Sequence, residues 1–345
     1  MIISVQSRVI AGPWGGGNLF TKNIIAYLNN EKLTVINNLY VENIDVILMT
    51  DPLKNSLSTN YSYVDIKNYK KYINPNVKVI HRINECDERK NTNFVNDEIM
   101  KCNEIADSTV FVSNWLKNLY ENIGLLNNNS VIVSGSDRKI FNNSNKKKWD
   151  GKSKVKVVTH HWGTNPNKGF EIYKLLDDLI YTGKISNIDF TFIGNLPKGF
   201  NLRASKHIHP LQGELLAQEL KEHDVYLTAS INEPSGNHHI EGAQCGLPLI
   251  YLQSGGVTEY CENYGVSFKN REDFESSLKK LINNYQDYIN KIMTYPNSSD
   301  EMCSEYLKVF EKSLETQNKI EYQRNLFSGI YKLLYKSNKI KSRLI

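Results

Sequence analysis

Short apolar runs alternating with helical patterns constrain this chain more than any other feature it carries. Residues 2–7, 33–37, 45–49, 77–83, 109–113 and 131–134 read as strands, and residues 19–29, 97–106 and 115–121 read as helices between some of them. Strand, crossover helix and next strand make a βαβ unit, so the pattern implies a mostly parallel sheet with helices on its faces. A polar stretch at 142–153, rich in Asn and Lys, interrupts it and reads as a linker. A second strand series follows at 155–159, 188–193, 207–209, 225–229, 249–252 and 266–268, with helical segments at 170–181 and 214–223. Beyond residue 270 charged helical patterns run on without an evident strand. At 345 residues the chain is about twice a typical domain. The expected class is α/β, with two sheets facing each other across a cleft and a helical C-terminus.

Two glutamates, Glu233 and Glu241, stand in the run from 232 to 250. The first follows an apolar strand and the second falls about one turn inside a helical segment, so both can face the carboxyl edge of a parallel sheet. A carboxylate accepts two hydrogen bonds at once, and vicinal sugar hydroxyls supply two donors at the matching separation. One Glu can hold a ribose and the other a hexose. Between them Ser235, Gly236 and Asn237 offer backbone N–H groups at a helix start, where a phosphate is favoured by the helix dipole. These residues describe a clamp for a nucleotide sugar, although such glutamate pairs also occur on helices that bind nothing.

The stretch from Glu233 to Glu241, then Gly246-Leu247-Pro248, then Gly255-Gly256-Val257-Thr258-Glu259, resembles the donor-site signature of retaining GT-B glycosyltransferases of the group 1 (family 4) type. Those enzymes carry Glu, seven residues and Glu, then a Gly-Leu-Pro strand and a Gly-Gly-x-x-Glu loop. The resemblance extends over roughly residues 1–270 through Gly15-Gly16-Gly17-Asn18, the segments 112–116 and 133–141, and Asn167-Lys168-Gly169. It implies GT-B architecture: a Rossmann-like acceptor domain at 1–141, a linker at 142–153, a Rossmann-like nucleotide-sugar domain at 154–300, and helices at 301–345 that pack back on the first domain. The implied activity is transfer of a sugar, in the EC 2.4 class, from a nucleoside diphosphate sugar to a hydroxyl of a glycan or lipid-linked glycan. Retention of anomeric configuration, no cofactor and no metal are implied as well, since this fold class works without an Asp-x-Asp metal site.

By the same resemblance Glu241 grips the ribose and Glu233 the transferred sugar. Lys168 holds the diphosphate, helped by Gly16, Gly17, Gly163, Thr164, Ser235, Gly236, Asn237, Gly256 and Val257. A fixed ammonium there stabilises the charge that develops on the departing β-phosphate. Of His238 and His239 in the motif, His238 is expected to touch the donor while the other packs. The family has an Arg shortly before this Lys, whereas residues 155–167 contain none. His160, His161 or the backbone at Gly163 and Thr164 are the substitutes the sequence offers. His81, at the head of a polar loop after an apolar run, takes the role of a histidine near the reacting centre, beside Lys168 and Glu233 as catalytic residues. Arg82, Asp87, Glu88 and Arg89 in that loop are candidate acceptor ligands. Gly15–17 lacks the Gly-x-Gly-x-x-Gly spacing of a dinucleotide site, which argues against NAD.

Composition agrees. The chain is 40% hydrophobic and 23% charged, and no apolar run approaches the roughly 20 residues that span a bilayer. The start of the chain shows no basic region or cleavage site, so no signal peptide is expected. The five scattered cysteines form no Cys-x-x-Cys pair and are expected to be reduced thiols in a cytoplasm. A net charge of +5 is too small to argue for nucleic acid as a partner. Lys332, Lys336, Lys339, Lys341 and Arg343 crowd the terminus beside apolar residues, and such a helix can lie on the inner face of an anionic membrane or simply be solvated. The rival functions are a nucleotide-sugar epimerase or hydrolase on the same fold, and a non-enzymatic nucleotide-sugar or glycan-binding module.

Overall fold

The structure, a computed structural model, describes residues 1–10, 12, 15–51, 56–126, 128–315, 329 and 335. Every run read as a strand forms one. The first sheet contains β1 (Ile2–Val5), β2 (Thr34–Ile36), β3 (Val46–Met49), β4 (Lys78–Ile83), β5 (Ser108–Phe111) and β6 (Asn129–Val131), in the order β2-β1-β3-β4-β5-β6. The second contains β7 (Val155–His161), β8 (Ile188–Gly194), β9 (Lys206–Ile208), β10 (Val225–Thr228), β11 (Leu249–Leu252) and β12 (Gly265–Phe268), in the order β12-β11-β10-β7-β8-β9. All neighbouring strands pair in parallel. Helices cover both faces of such sheets, which is why β3 (Val-Ile-Leu-Met) and β10 (Val-Tyr-Leu-Thr) are buried along their whole length rather than alternating.

Strand order reverses direction at β1 in the first sheet and at β7 in the second, so each sheet opens a crevice at its carboxyl edge, between β1 and β3 and between β7 and β10. The helix Gly16–Asn30 follows β1 and buries Phe20, Thr21, Ile24 and Leu28, a helical spacing. Residues 142–153 form neither strand nor helix, and Trp149 there rests edge-on against Tyr285 at 5.5 Å. The strand carrying His81 continues to Ile83, so this histidine sits inside β4 rather than at its end. A helix at Tyr63–Tyr72 escapes the apolar-run reading, because it buries only Ile66 and Tyr69; its signal is the capping box of Ser62 and Asp65.

After two helices packed on the second sheet, Arg271–Asn283 and Tyr285–Ile292, the chain returns to the first. Helix Ser299–Glu315 lays Met302, Cys303, Tyr306 and Phe310 into the core beneath β1 and β3, with Tyr306 edge-on to Phe20 at 5.2 Å. Tyr335 is buried beside Tyr40 and Tyr69 of the same half. The basic run at Lys332, Lys336, Lys339, Lys341 and Arg343 lies outside the described residues. Among those described, the five cysteines are buried and in no disulfide, and no helix is long and apolar enough to cross a membrane.

The two halves are also joined by side chains. The Glu259 carboxylate accepts the backbone N–H groups of Asn114 (2.7 Å) and Trp115 (2.6 Å) and the Asn114 side-chain amide (2.9 Å), satisfying the exposed start of helix Asn114–Asn122 from the opposite half. Next to it the buried Tyr260 hydroxyl donates to the Val112 carbonyl and accepts the Ser134 N–H at 2.9 Å. Glu259→Ala is therefore expected to cost about 1 kcal/mol in chemical denaturation. Amide exchange at Asn114 and Trp115 should quicken in that variant; unchanged exchange would show that the carboxylate does not hold this helix.

Candidate active site

The site grows from the loop between β10 and helix Asn237–Gln244. Asn232 adopts a left-handed conformation (φ 50°), and Gly236 another (φ 82°) in which a Cβ would come within 2.9 Å of both the His238 and His239 rings. Between these turns Glu233 projects inward, only 7% exposed, with Lys168 Nζ at 2.5 Å and Arg89 Nε at 3.3 Å. Burial alone would raise its pKa, but Lys168 and then Arg89 outweigh burial and hold the carboxyl down at about 2. Lys168 ends a short turn, Pro166–Lys168, and Gly169 behind it is left-handed and so close to the Ala229 carbonyl that a Cβ would lie 2.2 Å from its oxygen. That contact fastens the Lys168 turn to the Glu233 loop.

One turn into the helix, Glu241 is buried and receives a hydrogen bond of 2.8 Å from His160 Nε2. A carboxylate only accepts, so a proton sits on Nε2 facing Glu241, and the Tyr226 hydroxyl, which accepts the His160 backbone N–H, lies 3.1 Å from Nδ1. His161 turns away, its Nε2 taken by the Tyr173 hydroxyl at 2.6 Å. His238 Nε2 lies 2.8 Å from the Thr228 hydroxyl, and neither nitrogen of His239 has a partner. His160 and His161, two of the substitutes the sequence offered for the absent arginine, both line the cleft, but His160 is engaged by Glu241 and Tyr226 and the Nε2 of His161 by Tyr173. Among the described residues, no three His, Cys, Asp or Glu side chains gather as a metal site.

The opposite wall comes from the first sheet. Gly15–Gly17 begin the helix Gly16–Asn30, and Asn18 pins the preceding loop with two 2.9 Å bonds to the Ile10 backbone. A Cβ on Gly16 would meet Asn237 Oδ1 at 3.0 Å, so the starts of two helices, neither capped by a side chain, face each other across the cleft. Helix starts without a side-chain cap are places where an anion is favoured. The cleft measures about 430 Å³, within the usual range of ligand pockets.

Of the expected donor residues, Gly16, Gly17, Gly163, Lys168, Glu233, Ser235, Gly236, Asn237, His238 and Glu241 line this cleft. Thr164, Gly256 and Val257 do not: Thr164 is exposed, Val257 is buried, and Gly256 is wedged between the Pro234 carbonyl and Ser113 where the halves join. A second cavity of about 330 Å³ in the first half shares Gly15–Gly17, Asn84, Glu85 and Arg89 with the cleft and reaches His81 and Arg82. The His81 ring is fully buried, with Nδ1 2.8 Å from Asn103 Oδ1 and Nε2 unpartnered. Asp87 is no acceptor ligand. Its carboxylate is consumed by Thr92 and by the N–H groups of Phe94, Val95 and Asn96, which it caps. Glu88 points its carboxylate to Asn96 and gives its carbonyl to Asn167 and Asn232 of the other half. Arg89 reaches across to Glu233 of the other half. Trp162, Asn84 and Glu85 also line the cleft and were missed; that Asn84 and Glu85 directly follow β4 was the available signal.

Solved structures share this fold. The sucrose-phosphate synthase of Thermosynechococcus elongatus superposes with a TM-score of 0.66 at 12% identity, covering 92% of this chain and 99% of that one. Alr3699/HepE of Anabaena in complex with UDP-glucose gives 0.63 at 14% identity, covering 91% and 98%. AviGT4, a glycosyltransferase involved in avilamycin A biosynthesis, gives 0.61 at 12%, covering 92% and 98%. The fold is GT-B. No family model matches this GT-B chain. The gpi3 subunit of phosphatidylinositol N-acetylglucosaminyltransferase from Schizosaccharomyces pombe is 26% identical over 151 residues, 40% of this chain and 33% of that protein. The chain thus spans about a third of the length of that curated relative.

The histidines behind the GT-B cleft are kept neutral by burial. His81 is pushed down to about 4, His239 to about 3, and His161 and His238 well below the usual value, with Lys168 adding to burial in the last three. Each folded-state pKa lies below the unfolded value near 6.5, so their stabilising effect is complete above pH 6.5 and is lost as pH falls towards 4 and 3. Each should contribute a slope of up to about 1.4 kcal/mol per pH unit in that window. Chemical denaturation of His239→Phe is expected to show a shallower loss of stability between pH 6 and 4 than the unaltered protein; an identical slope would mean that His239 takes up its proton in the folded state.

Proposed function

We propose that the chain is a glycosyltransferase that moves a sugar from a nucleoside diphosphate sugar to a hydroxyl of a glycan or lipid-linked glycan, with retention and without metal. The observation that carries this reading is the convergence of Glu233, Glu241 and Lys168 with two uncapped helix starts in one cleft of ligand size. Glu241, steadied by His160, takes the ribose hydroxyls, and Glu233 takes hydroxyls of the transferred sugar once they displace Lys168 from it. The helix starts and Lys168 hold the diphosphate. In the transfer step the bond from the anomeric carbon to the β-phosphate oxygen breaks and a bond to the acceptor oxygen forms on the same face. The acceptor proton goes to the departing phosphate oxygen, so no protein nucleophile is needed. His81 and Arg82 in the adjoining cavity face the acceptor side, where the bare His81 Nε2 can take a hydrogen bond from a hydroxyl. The bound UDP-glucose named for the Anabaena structure makes UDP sugars the first donors to try.

A thermal-shift panel of UDP-, GDP-, ADP-, CMP- and dTDP-sugars, run without added metal, tests this. One donor class should raise the melting temperature, equivalent to about 2.7 kcal/mol at a hundredfold excess over Kd, and Glu241→Ala should abolish the shift. No shift with any nucleotide would remove the reading, and consumption of donor without any acceptor would move it to a hydrolase or epimerase. With an active donor and acceptor, NMR of the product should show the donor's anomeric configuration, and EDTA should leave the rate unchanged.

A further inference from the structure

We propose that Arg89, carried by the first half of the molecule, is the second cationic ligand of the donor diphosphate, so that the phosphate grip is completed across the cleft rather than within one domain. This rests on the donor-site reading above. Among the described residues lining the cleft, Lys168 and Arg89 are the Lys and Arg side chains present, and 155–167 supply no arginine. His160 and His161, the other candidates beside Lys168, are tied to Glu241 and Tyr173.

Arg89 is built into place. Asp87 caps the turn that follows it, the Asn167 amide donates to the Arg89 carbonyl at 2.9 Å, and that of Asn232 donates to the Glu88 carbonyl at 3.3 Å. These bonds clasp the helix Asp87–Lys90 to the loops that carry Lys168 and Glu233 and aim the guanidinium into the cleft. There Arg89 and Lys168 share one carboxylate, Glu233, while Glu85 lies 3.5 Å from the far side of Arg89. When sugar hydroxyls occupy Glu233, both cations lose their shared anion at once. The diphosphate between the two helix starts is the anion that replaces it, and a guanidinium fork matches phosphate oxygens in pairs. A nucleoside monophosphate ends one phosphate short of this pair.

Isothermal titration of Arg89→Gln, Arg89→Ala and Arg89→Lys with UDP and UMP, or with whichever di- and monophosphate pair the donor panel selects, tests the assignment. Loss of a charge-assisted bond predicts about tenfold weaker diphosphate binding in Arg89→Gln and Arg89→Ala, with monophosphate binding changed less than about twofold. Arg89→Lys should recover part of the loss, since it keeps the charge without the fork. Equal losses on both nucleotides would show that Arg89 acts only by holding the halves together, and no loss would show that it leaves the phosphates alone; either overturns the proposal. If the unaltered protein binds no nucleoside diphosphate, the donor-site reading falls and this assignment with it. If it binds one that Glu241→Ala loses and the Arg89 variants keep, only the assignment falls.

Discussion

The arrangement depends on one buried carboxylate. Glu233 is nearly sealed from solvent and yet ionised, a state that would be prohibitive without Lys168 at 2.5 Å and Arg89 at 3.3 Å. Its two partners come from different elements: Lys168 from the turn after β7, Arg89 from the turn after β4 in the other sheet. Satisfying this charge therefore demands that the two sheets stand at one separation. It also stores the site in a form that a ligand can open, because every hydroxyl offered to Glu233 competes with a cation that is then free for an anion. The pair is weak evidence for stability and strong evidence for a place where charge will be rearranged.

The separation of the sheets is set redundantly. At the cleft floor, Glu259 and Tyr260 of the second half bond to the backbone at Val112, Asn114, Trp115 and Ser134 of the first. At the rear, Met302, Tyr306 and Phe310 carry the last described helix into the first core. The rear attachment is apolar and extensive, whereas the front one consists of single polar bonds, some of them exposed. Bonds of that kind exchange readily with water, and a buried aromatic cluster does not.

The strands were legible because parallel strands covered on both faces must be apolar throughout, a pattern that survives without knowing the pairing. Gly16, Gly17, Lys168, Glu233 and Glu241 were singled out through the resemblance of their motifs to a family pattern, and the structure brings all five to one cleft. Roles decided by contacts distant in sequence were not. Arg89 and Glu233 are 144 residues apart, and nothing local marks an arginine that will reach a carboxylate of the other half. Asp87 failed for the opposite reason: its partners are close by, at Thr92 and 94–96, and a short Asx-type cap looks in sequence like any polar loop residue. Gly256 and Val257 belong to a motif whose position was right, but their packing against Ser113 and Pro234 depends on the opposing half.

The histidines show how the site keeps its charges few. Four imidazoles, His160, His161, His238 and His239, crowd behind Glu233 and Glu241, with ring centroids as close as 4.5 Å between His161 and His238. Packed this tightly beside Lys168, protonated rings would repel one another and compete with the lysine for Glu233. Burial removes that competition in His161, His238 and His239, and leaves polar, hydrogen-bonding walls in place of aliphatic ones. Such walls can orient a carboxylate, as the 2.8 Å hydrogen bond from His160 does for Glu241. The cleft therefore presents Glu233 and Glu241 beside Lys168 and Arg89, with Glu85 behind the arginine, and the buried rings of His161, His238 and His239 contribute shape and polar walls without adding charge.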